Sequence, residues 1–406
     1  MLARSVEPQS LSEDEISLPQ ILVRTIEADR GPGDRDATDA AVEILLALAR
    51  NHARWELPQA WLLATVSALR ENDWSLLTEG FKKAEFLGAT GRLLIVAPYT
   101  VNREGSISSV LSAVYGSVMP HQDLPDLDAA VQEMFHELKQ PVTRILPILC
   151  DASCGHLGTE AGEAFIVPDG WEIPGSVEGP ALNDMREQRR RFVESGSTCI
   201  RRMFDSETAD LLLDVYRTPA EQMTVQHVEY QFHEAGHAAG VGLTRKFNEH
   251  LMPSWWHGAV EEWRSDGVAF ELAGRMIGEE NAGKLIASNF CTRFGVDAHR
   301  RGGADRDRDV AASLLSLDSA LRPGGLHVEN GKLALRDASF RGLFRATESH
   351  RLNAVRLTRD EMAPGDGVPD DGIREKYRAI QIEPRSRLIF DDVVRGTCEG
   401  VYRELR

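Results

Sequence analysis

Two histidines stand four residues apart in the stretch YQFHEAGHAAG (residues 230–240), with a glutamate directly after the first. On a helix, positions i and i+4 share a face, so the imidazoles of His233 and His237 can reach one ion together. Zinc favours nitrogen and sulfur ligands and keeps an open position where it is catalytic. Glu234 would flank that position, where a carboxylate can take a proton from the attacking water. These residue types at this spacing point to metal-assisted hydrolysis. The bland alternative is an ordinary packed helix of small residues with solvated charges, and a third ligand is what separates the two.

That ligand is expected from the next helical stretch. After a connection containing Pro and Trp, HLMPSWWHG, the chain reads AVEEWRSDGVAFELAGRMIG, amphipathic from about Ala259. Glu262 has Asp266 four residues later on the same face. Glu262 can therefore bind the ion while Asp266 hydrogen-bonds the far nitrogen of a ligand histidine and fixes its tautomer. Glu261 points roughly 100° away and has no such partner in the sequence, so Glu262 is the expected third ligand. Small residues would let the two helices approach: Ala235, Gly236, Ala238, Ala239 and Gly240 on the first, Ala269 and Ala273 on the second. The expected cofactor is Zn2+, with neighbouring divalent metals left open.

The elements that must hold these residues follow from periodicity. Residues 1–36 are polar and end in DRGPGDRD, which reads as a flexible N-terminal arm. Three helical stretches follow, and then GRLLIVAPYTVNREG, a buried strand delivering Pro98, Tyr99 and a polar loop toward a surface or cleft. A helix in DLDAAVQEMFHELKQ precedes two further strands, TRILPILCD and GEAFIVPDGWEIPG. From ALNDMREQRRRFVESG to about residue 322 the chain reads as mostly helical. GGLHVENGKLAL then carries an Asn-Gly turn between alternating runs, a hairpin signal. The expected fold class is α+β with two lobes and a cleft between them. Its parts are a mixed α/β lobe with a small sheet over 37–200, a mainly helical zinc-binding lobe over 201–360, and a segment over 361–406 packing back on both.

Composition bounds the partners. A chain of 406 residues exceeds one compact core. Lys+Arg 46 against Asp+Glu 63 gives 46 − 63 = −17, which argues against a nucleic-acid or anionic-membrane surface. No apolar run is long enough to span a bilayer and the first residues lack a signal-peptide core, so a cytoplasmic location is expected. The five cysteines are odd in number and dispersed, which excludes a disulfide framework. Cys150, Cys154 and His156 form a partial metal pattern without a second ligand pair, and buried or loop thiols explain them better.

At the two metal motifs the chain resembles the dipeptidyl peptidase III family, two-lobed zinc peptidases of the gluzincin type. EEWRSD (residues 261–266) is similar to that family's Glu-Glu-x-Arg-x-acid motif, whose second glutamate binds zinc. The resemblance implies a catalytic tyrosine at Tyr99 and a substrate-pairing edge strand in GEAFIVPDGWEIPG. It covers roughly residues 90–345 in the same motif order. Three features depart from the family. The HEAGH motif is one residue shorter, the connection from His237 to Glu262 is shorter, and ADRDRDVAAS holds no histidine where the family has a transition-state histidine. Arg308 or His299 would stand in for it.

Together these readings give a zinc-dependent hydrolase of the metallopeptidase type, acting on a peptide or small-molecule amide. Glu234 is its general base and His233, His237 and Glu262 are its ligands. Tyr99 would steady the oxyanion, and Asn102 would hold a substrate backbone. Tyr230 is expected to pack beneath the metal, Arg264 to form a buried salt bridge, and His327 and His350 to lie on the surface. Trp255, Trp256 and His257 either line a pocket or anchor the interhelical loop. Two alternatives stay open: a zinc enzyme tailoring a small metabolite, and a binding protein with a relic metal site. Oligomeric state is left open.

Overall fold

The computed structural model describes residues 17–28, 35–103, 106–120, 124, 126–136, 142, 145–154, 163–165, 181–240, 255–297, 308–321 and 323–361. The chain begins with α1 (Leu18–Ala28), α2 (Arg35–Arg50), α3 (His52–Trp55), α4 (Gln59–Glu71) and α5 (Ser75–Lys82). Their apolar residues recur at helical spacing and face one core: Leu22, Val23 and Ile26 from α1, Val42, Leu45 and Leu48 from α2, and Trp61, Leu62 and Val66 from α4. The arm expected over 1–36 is therefore corrected for its described part. Residues 18–28 are a helix with Leu22, Val23 and Ile26 buried and Ile21 exposed, a short stripe that the polar flanks obscure.

These helices lie against a mixed sheet built from β1 (Arg92–Arg103), β2 (Ser106–Val118), β3 (Ile145–Cys154), β4 (Glu163–Phe165) and β5 (Ala181–Asp184), with α6 (Leu127–Phe135) between β2 and β3. The strand order is β1-β2-β3-β5-β4, antiparallel except for β3 against β5. The indole of Trp61 donates to the Leu94 carbonyl at 2.8 Å, fixing the helical layer to β1. Sequence periodicity ended the first strand in a loop after Tyr99. In the structure β1 continues to Arg103 and pairs with β2, so the run SISSVLSAVYGSV is a strand that the serines disguised.

The second lobe is mainly helical. It runs through α7 (Met185–Arg191), a π-helical turn (Phe192–Gly196), α8 (Ser197–Met203), α9 (Ser206–Asp214), α10 (Pro219–Ala238) and α11 (Trp255–Ile277). Then come α12 (Glu279–Thr292), a second π-helical turn (Arg293–Asp297), α13 (Arg308–Leu321), β6 (Leu326–Glu329), β7 (Lys332–Leu335), α14 (Phe340–Ala346) and α15 (Glu348–Glu361). The expected hairpin is β6–β7, with Asn330 and Gly331 at φ 51° and 77° in its turn. A capping box starts α10: the Thr218 hydroxyl accepts from the Glu221 amide, the Glu221 carboxylate accepts from the Thr218 amide, and Pro219 follows the cap.

The two cores do not divide at residue 200. Leu127, Val131, Met134 and Phe135 of α6 join the second core, and so do Ile200 and Met203 of α8. The lobes meet at β3: Leu146 and Ile148 face the first core, whereas Ile145 packs on Tyr230 of α10. The architecture is thus α+β, a mixed lobe with a small sheet and a mainly helical lobe. The expected segment 361–406 lies outside the described residues, apart from Glu361 at the end of α15. No described helix is long and apolar enough to cross a membrane.

Helix α11 is the central strut. It packs against α10, α12, α13 and α15, and every residue of 258–270 is buried. Those buried residues include Glu261, Glu262, Arg264 and Asp266. A charge in such a place has to be paired or bound to a metal, and these four residues are α11's charged part of the site.

Candidate metal centre

Close approach of α10 and α11 is built into two glycines. A Cβ on Gly236 would lie 2.2 Å from the Ser265 carbonyl oxygen, and one on Gly240 would lie 2.2 Å from the Arg264 guanidinium. With backbone near backbone at Gly236 and the Arg264 side chain against Gly240, the histidines of α10 lie close to the acids of α11.

In that space three atoms converge. The Nε2 atoms of His233 and His237 are 3.0 Å apart, and Glu262 Oε2 lies 3.2 Å from the first and 3.6 Å from the second. The rings are nearly perpendicular, at 89°. Tetrahedral coordination with bonds of about 2.0–2.1 Å sets neighbouring ligand atoms roughly 3.3 Å apart, and the three edges bracket that value. Among the described residues this is the one cluster of three such ligand groups, and all three residues are buried.

The far side of each ring is held by an acceptor. His233 donates from Nδ1 to Asp266 Oδ1 at 2.7 Å. His237 Nδ1 lies 2.7 Å from Ser265 Oγ and 3.2 Å from Glu261 Oε1. Spacing gives Glu261 no acid four residues on. Instead it faces the second histidine and forms a two-pronged pair with Arg264, whose Nε donates at 2.8 Å and whose Nη2 also donates. Arg264 is completely buried and also donates to the Gly236 carbonyl at 3.3 Å and the Thr358 hydroxyl at 2.9 Å. The expected buried salt bridge thus ties α11 to α10 and α15 at once.

With Nδ1–H directed outward, each Nε2 presents a lone pair inward, opposite a carboxylate oxygen. Burial alone would depress both imidazoles, but the surrounding carboxylates outweigh it. Asp266 and Glu262 raise His233 well above its ordinary value, and Glu262 and Glu261 raise His237 to about 9. Two imidazolium rings cannot face each other with nitrogens 3.0 Å apart. The acids therefore call for one positive charge between the rings, and three converging electron-pair donors suit a metal ion better than a proton.

A further layer backs Asp266. Asn289 of α12 donates to Asp266 Oδ1 at 3.3 Å and to Glu229 Oε1 at 3.1 Å. Burial, reinforced by Asp266, pushes Glu229 up to about 7. Arg293 places Nη2 3.6 Å from Glu262 Oε2 and 3.9 Å from Asp266 Oδ1. Burial would raise Asp266, but Arg293 and His233 more than offset it and hold its carboxyl below the ordinary range. Sequence reading found Asp266 but missed Glu261, Ser265, Asn289 and Arg293. The spacing of Asn289 and Arg293, one helical turn apart, was the only signal that could have marked the last two.

The remaining expectations are distributed as follows. Glu234 is half-buried on α10, directly after His233. Tyr99 and Asn102 lie in β1 opposite Val110 and Ile107, and Arg308 opens α13, but their side chains lie outside the described residues. His299, His156 and the side chains of Trp255, Trp256 and His257 lie outside them too. Cys150 and Cys154 are buried thiols, and burial pushes Cys150 up to about 11. His327 is exposed, as expected. His350 is not. It is fully buried, stacks on Trp263 at 4.9 Å and meets the Trp263 carbonyl at 2.6 Å, because α15 lies against the central strut.

The comparisons with known proteins bear on the fold. A family model described as a family of unknown function, DUF6014, matches residues 22–226. No curated protein matches the chain. The structure of dipeptidyl-peptidase III from Corallococcus sp. strain EGB superposes with a TM-score of 0.57 at 14% identity, covering 91% of this chain and 70% of that one. The structure of DPP III from Caldithrix abyssi gives 0.61 at 13% identity, covering 89% and 70%. At such identities the likeness is one of fold.

Proposed function

This chain belongs to DUF6014, a family of unknown function, and from its metal centre we propose a zinc-dependent hydrolase of the metallopeptidase type, cleaving a peptide or other amide bond. One observation carries the reading: two imidazole nitrogens and a carboxylate oxygen, all electron-pair donors, lie 3.0, 3.2 and 3.6 Å from one another in a buried space. The likeness in fold to two peptidase structures supports it.

His233, His237 and Glu262 would hold the ion. Zinc there supplies Lewis acidity to an amide carbonyl and to the attacking water. Asp266 and the Ser265–Glu261 pair keep both imidazoles in the tautomer with Nε2 directed inward. Glu234, next to His233, takes the proton from water and passes it to the leaving amine. Tyr99 donates to the developing oxyanion, with Arg308 or His299 as the second donor. Asn102 holds the substrate backbone, and the substrate lies between the lobes.

The test combines metal content with turnover on a library of short peptides. Wild-type protein should carry one zinc, and Glu234→Gln should keep it while losing about 10²- to 10⁴-fold in turnover. Tyr99→Phe should lose about 10²- to 10³-fold. A chain that binds no divalent metal, or an unimpaired Glu234→Gln, refutes the reading. A second reading keeps the ion and base but gives them a small-metabolite amide. It is favoured by ADRDRDVAAS, which offers Asp307, Arg308 and Asp309 where the resembling peptidases have a histidine. Peptides left uncut, with a metabolite accumulating in a deletion strain, would select it.

A further inference from the structure

Beside Glu262 and Asp266 lies a cation that the reaction above does not use. Arg293 is buried, and its Nη2 lies 3.6 Å from Glu262 Oε2, the same oxygen that faces both Nε2 atoms. It lies 3.9 Å from Asp266 Oδ1, the oxygen that orients His233. Both separations exceed a hydrogen bond, so what Arg293 brings to these two carboxylates is charge.

Its placement is fixed by an uncommon piece of backbone. Arg293 opens the π-helical turn that continues α12, one helical turn beyond Asn289, which holds Asp266 from the same helix. That π-helical turn packs on the other one: a Cβ on Gly295 would lie 2.9 Å from Gly196 Cα. Single π-helical turns are rare and concentrate at functional sites.

Among the described residues the charges can be counted. Glu261 and Arg264 cancel as a pair. Glu262 and Asp266 bring two negative charges and Arg293 one positive, so −2 + 1 = −1. A divalent ion then leaves the cluster at −1 + 2 = +1. Without Arg293 the same sum is −2 + 2 = 0. Glu234 and Glu229 are common to both cases.

We propose that Arg293 is a positioning residue that offsets one carboxylate charge at Glu262 and Asp266, weakening the hold on the divalent ion and keeping the bound ion electrophilic. The inference rests on the metal reading above and concerns how the site is tuned. It separates cleanly from a scaffolding role. An arginine that only holds α12 in place would, on removal, loosen the site and weaken binding. An arginine that offsets ligand charge would, on removal, tighten it.

The experiment is zinc competition with a chromophoric chelator on the full chain, metal-stripped, as wild type, Arg293→Gln and Arg293→Lys, with thermal melts of the metal-free forms. Arg293→Gln should bind zinc about tenfold or more tightly than wild type, melt lower without zinc, and gain more in melting temperature on adding it. Arg293→Lys, which keeps the charge, should bind within about threefold of wild type. Equal or weaker binding by Arg293→Gln overturns the proposal. If that variant does not fold without zinc, Arg293→Lys decides, and a tenfold loss there overturns it. A wild-type chain that binds no zinc removes the metal reading as well.

Discussion

The carboxylate of Asp266 offers the sharpest test of how the centre is held. It is fully buried and accepts the Nδ1 proton of His233 at 2.7 Å, with Asn289 at 3.3 Å on the same oxygen. A hydrogen bond to a charged group contributes about 1.5–3 kcal/mol and a neutral one about 0.5–1.5 kcal/mol. Asp266→Asn keeps an acceptor for Nδ1 but loses the charge, a difference of about 1–1.5 kcal/mol, or about tenfold in zinc affinity. Asp266→Ala loses the whole bond and should cost about 10- to 100-fold, the range usual for partners of metal-bound histidines. Glu261→Gln should behave differently. His237 keeps Ser265 as an acceptor at 2.7 Å, but Arg264 is left buried without its carboxylate. Its main effect should be on stability, about 3–5 kcal/mol. Chelator competition gives the affinities and denaturant melts of the metal-free forms give the stabilities. If folded Asp266→Asn and Asp266→Ala both bind zinc like wild type, the proposed division of labour between the two acids is wrong.

Two further outcomes follow from the packing. Gly236→Ala gains about 1 kcal/mol of helix propensity, yet its Cβ would fall 2.2 Å from the Ser265 carbonyl oxygen. Urea unfolding should show a net loss of about 1–2 kcal/mol, with weaker zinc binding as α10 and α11 part; a stabilised variant with normal affinity would contradict the close-approach argument. Burial pushes His350 down to about 4, so between roughly 6.5 and 4 the unfolded chain takes up a proton that the native chain refuses. Stability is full above that window and falls as pH drops through it. From pH 7 to 5 the loss is up to about 2 kcal/mol, and unfolding curves of His350→Gln should be flatter than wild type by that amount.

The parts of the fold legible in the sequence were those where pattern and environment agree. The run LLIVA is apolar because β1 is covered on both sides there, and Asn330-Gly331 turns because both residues sit at positive φ. The parts missed have mixed signals. The run SISSVLSAVYGSV mixes serines with apolar residues in no strict period of two, though it forms β2, between β1 and β3 in the sheet. Periodicity puts a lobe boundary near residue 200. Long-range packing decides otherwise, since α6 and α8 both cross that line to reach the second core.

The site divides along the same line. His233, His237, Glu262 and Asp266 were readable because a helix converts spacing of four into a shared face, and each pair needs only its own helix to be recognised. Glu261 falls outside that same rule: it does point away from Glu262, and the rule says nothing about what waits there. What waits is His237 of the neighbouring helix and Arg264 one turn on. Arg293 and Asn289 are further removed, since their role depends on how α12 lies against α11. A helix buried on every side carries its charges only if its neighbours supply the partners. Four charged residues in EEWRSD on such a strut therefore required counterparts from elsewhere in the chain. The sequence places the acids, and the packing of α10, α12 and α15 around them determines which charge each one meets.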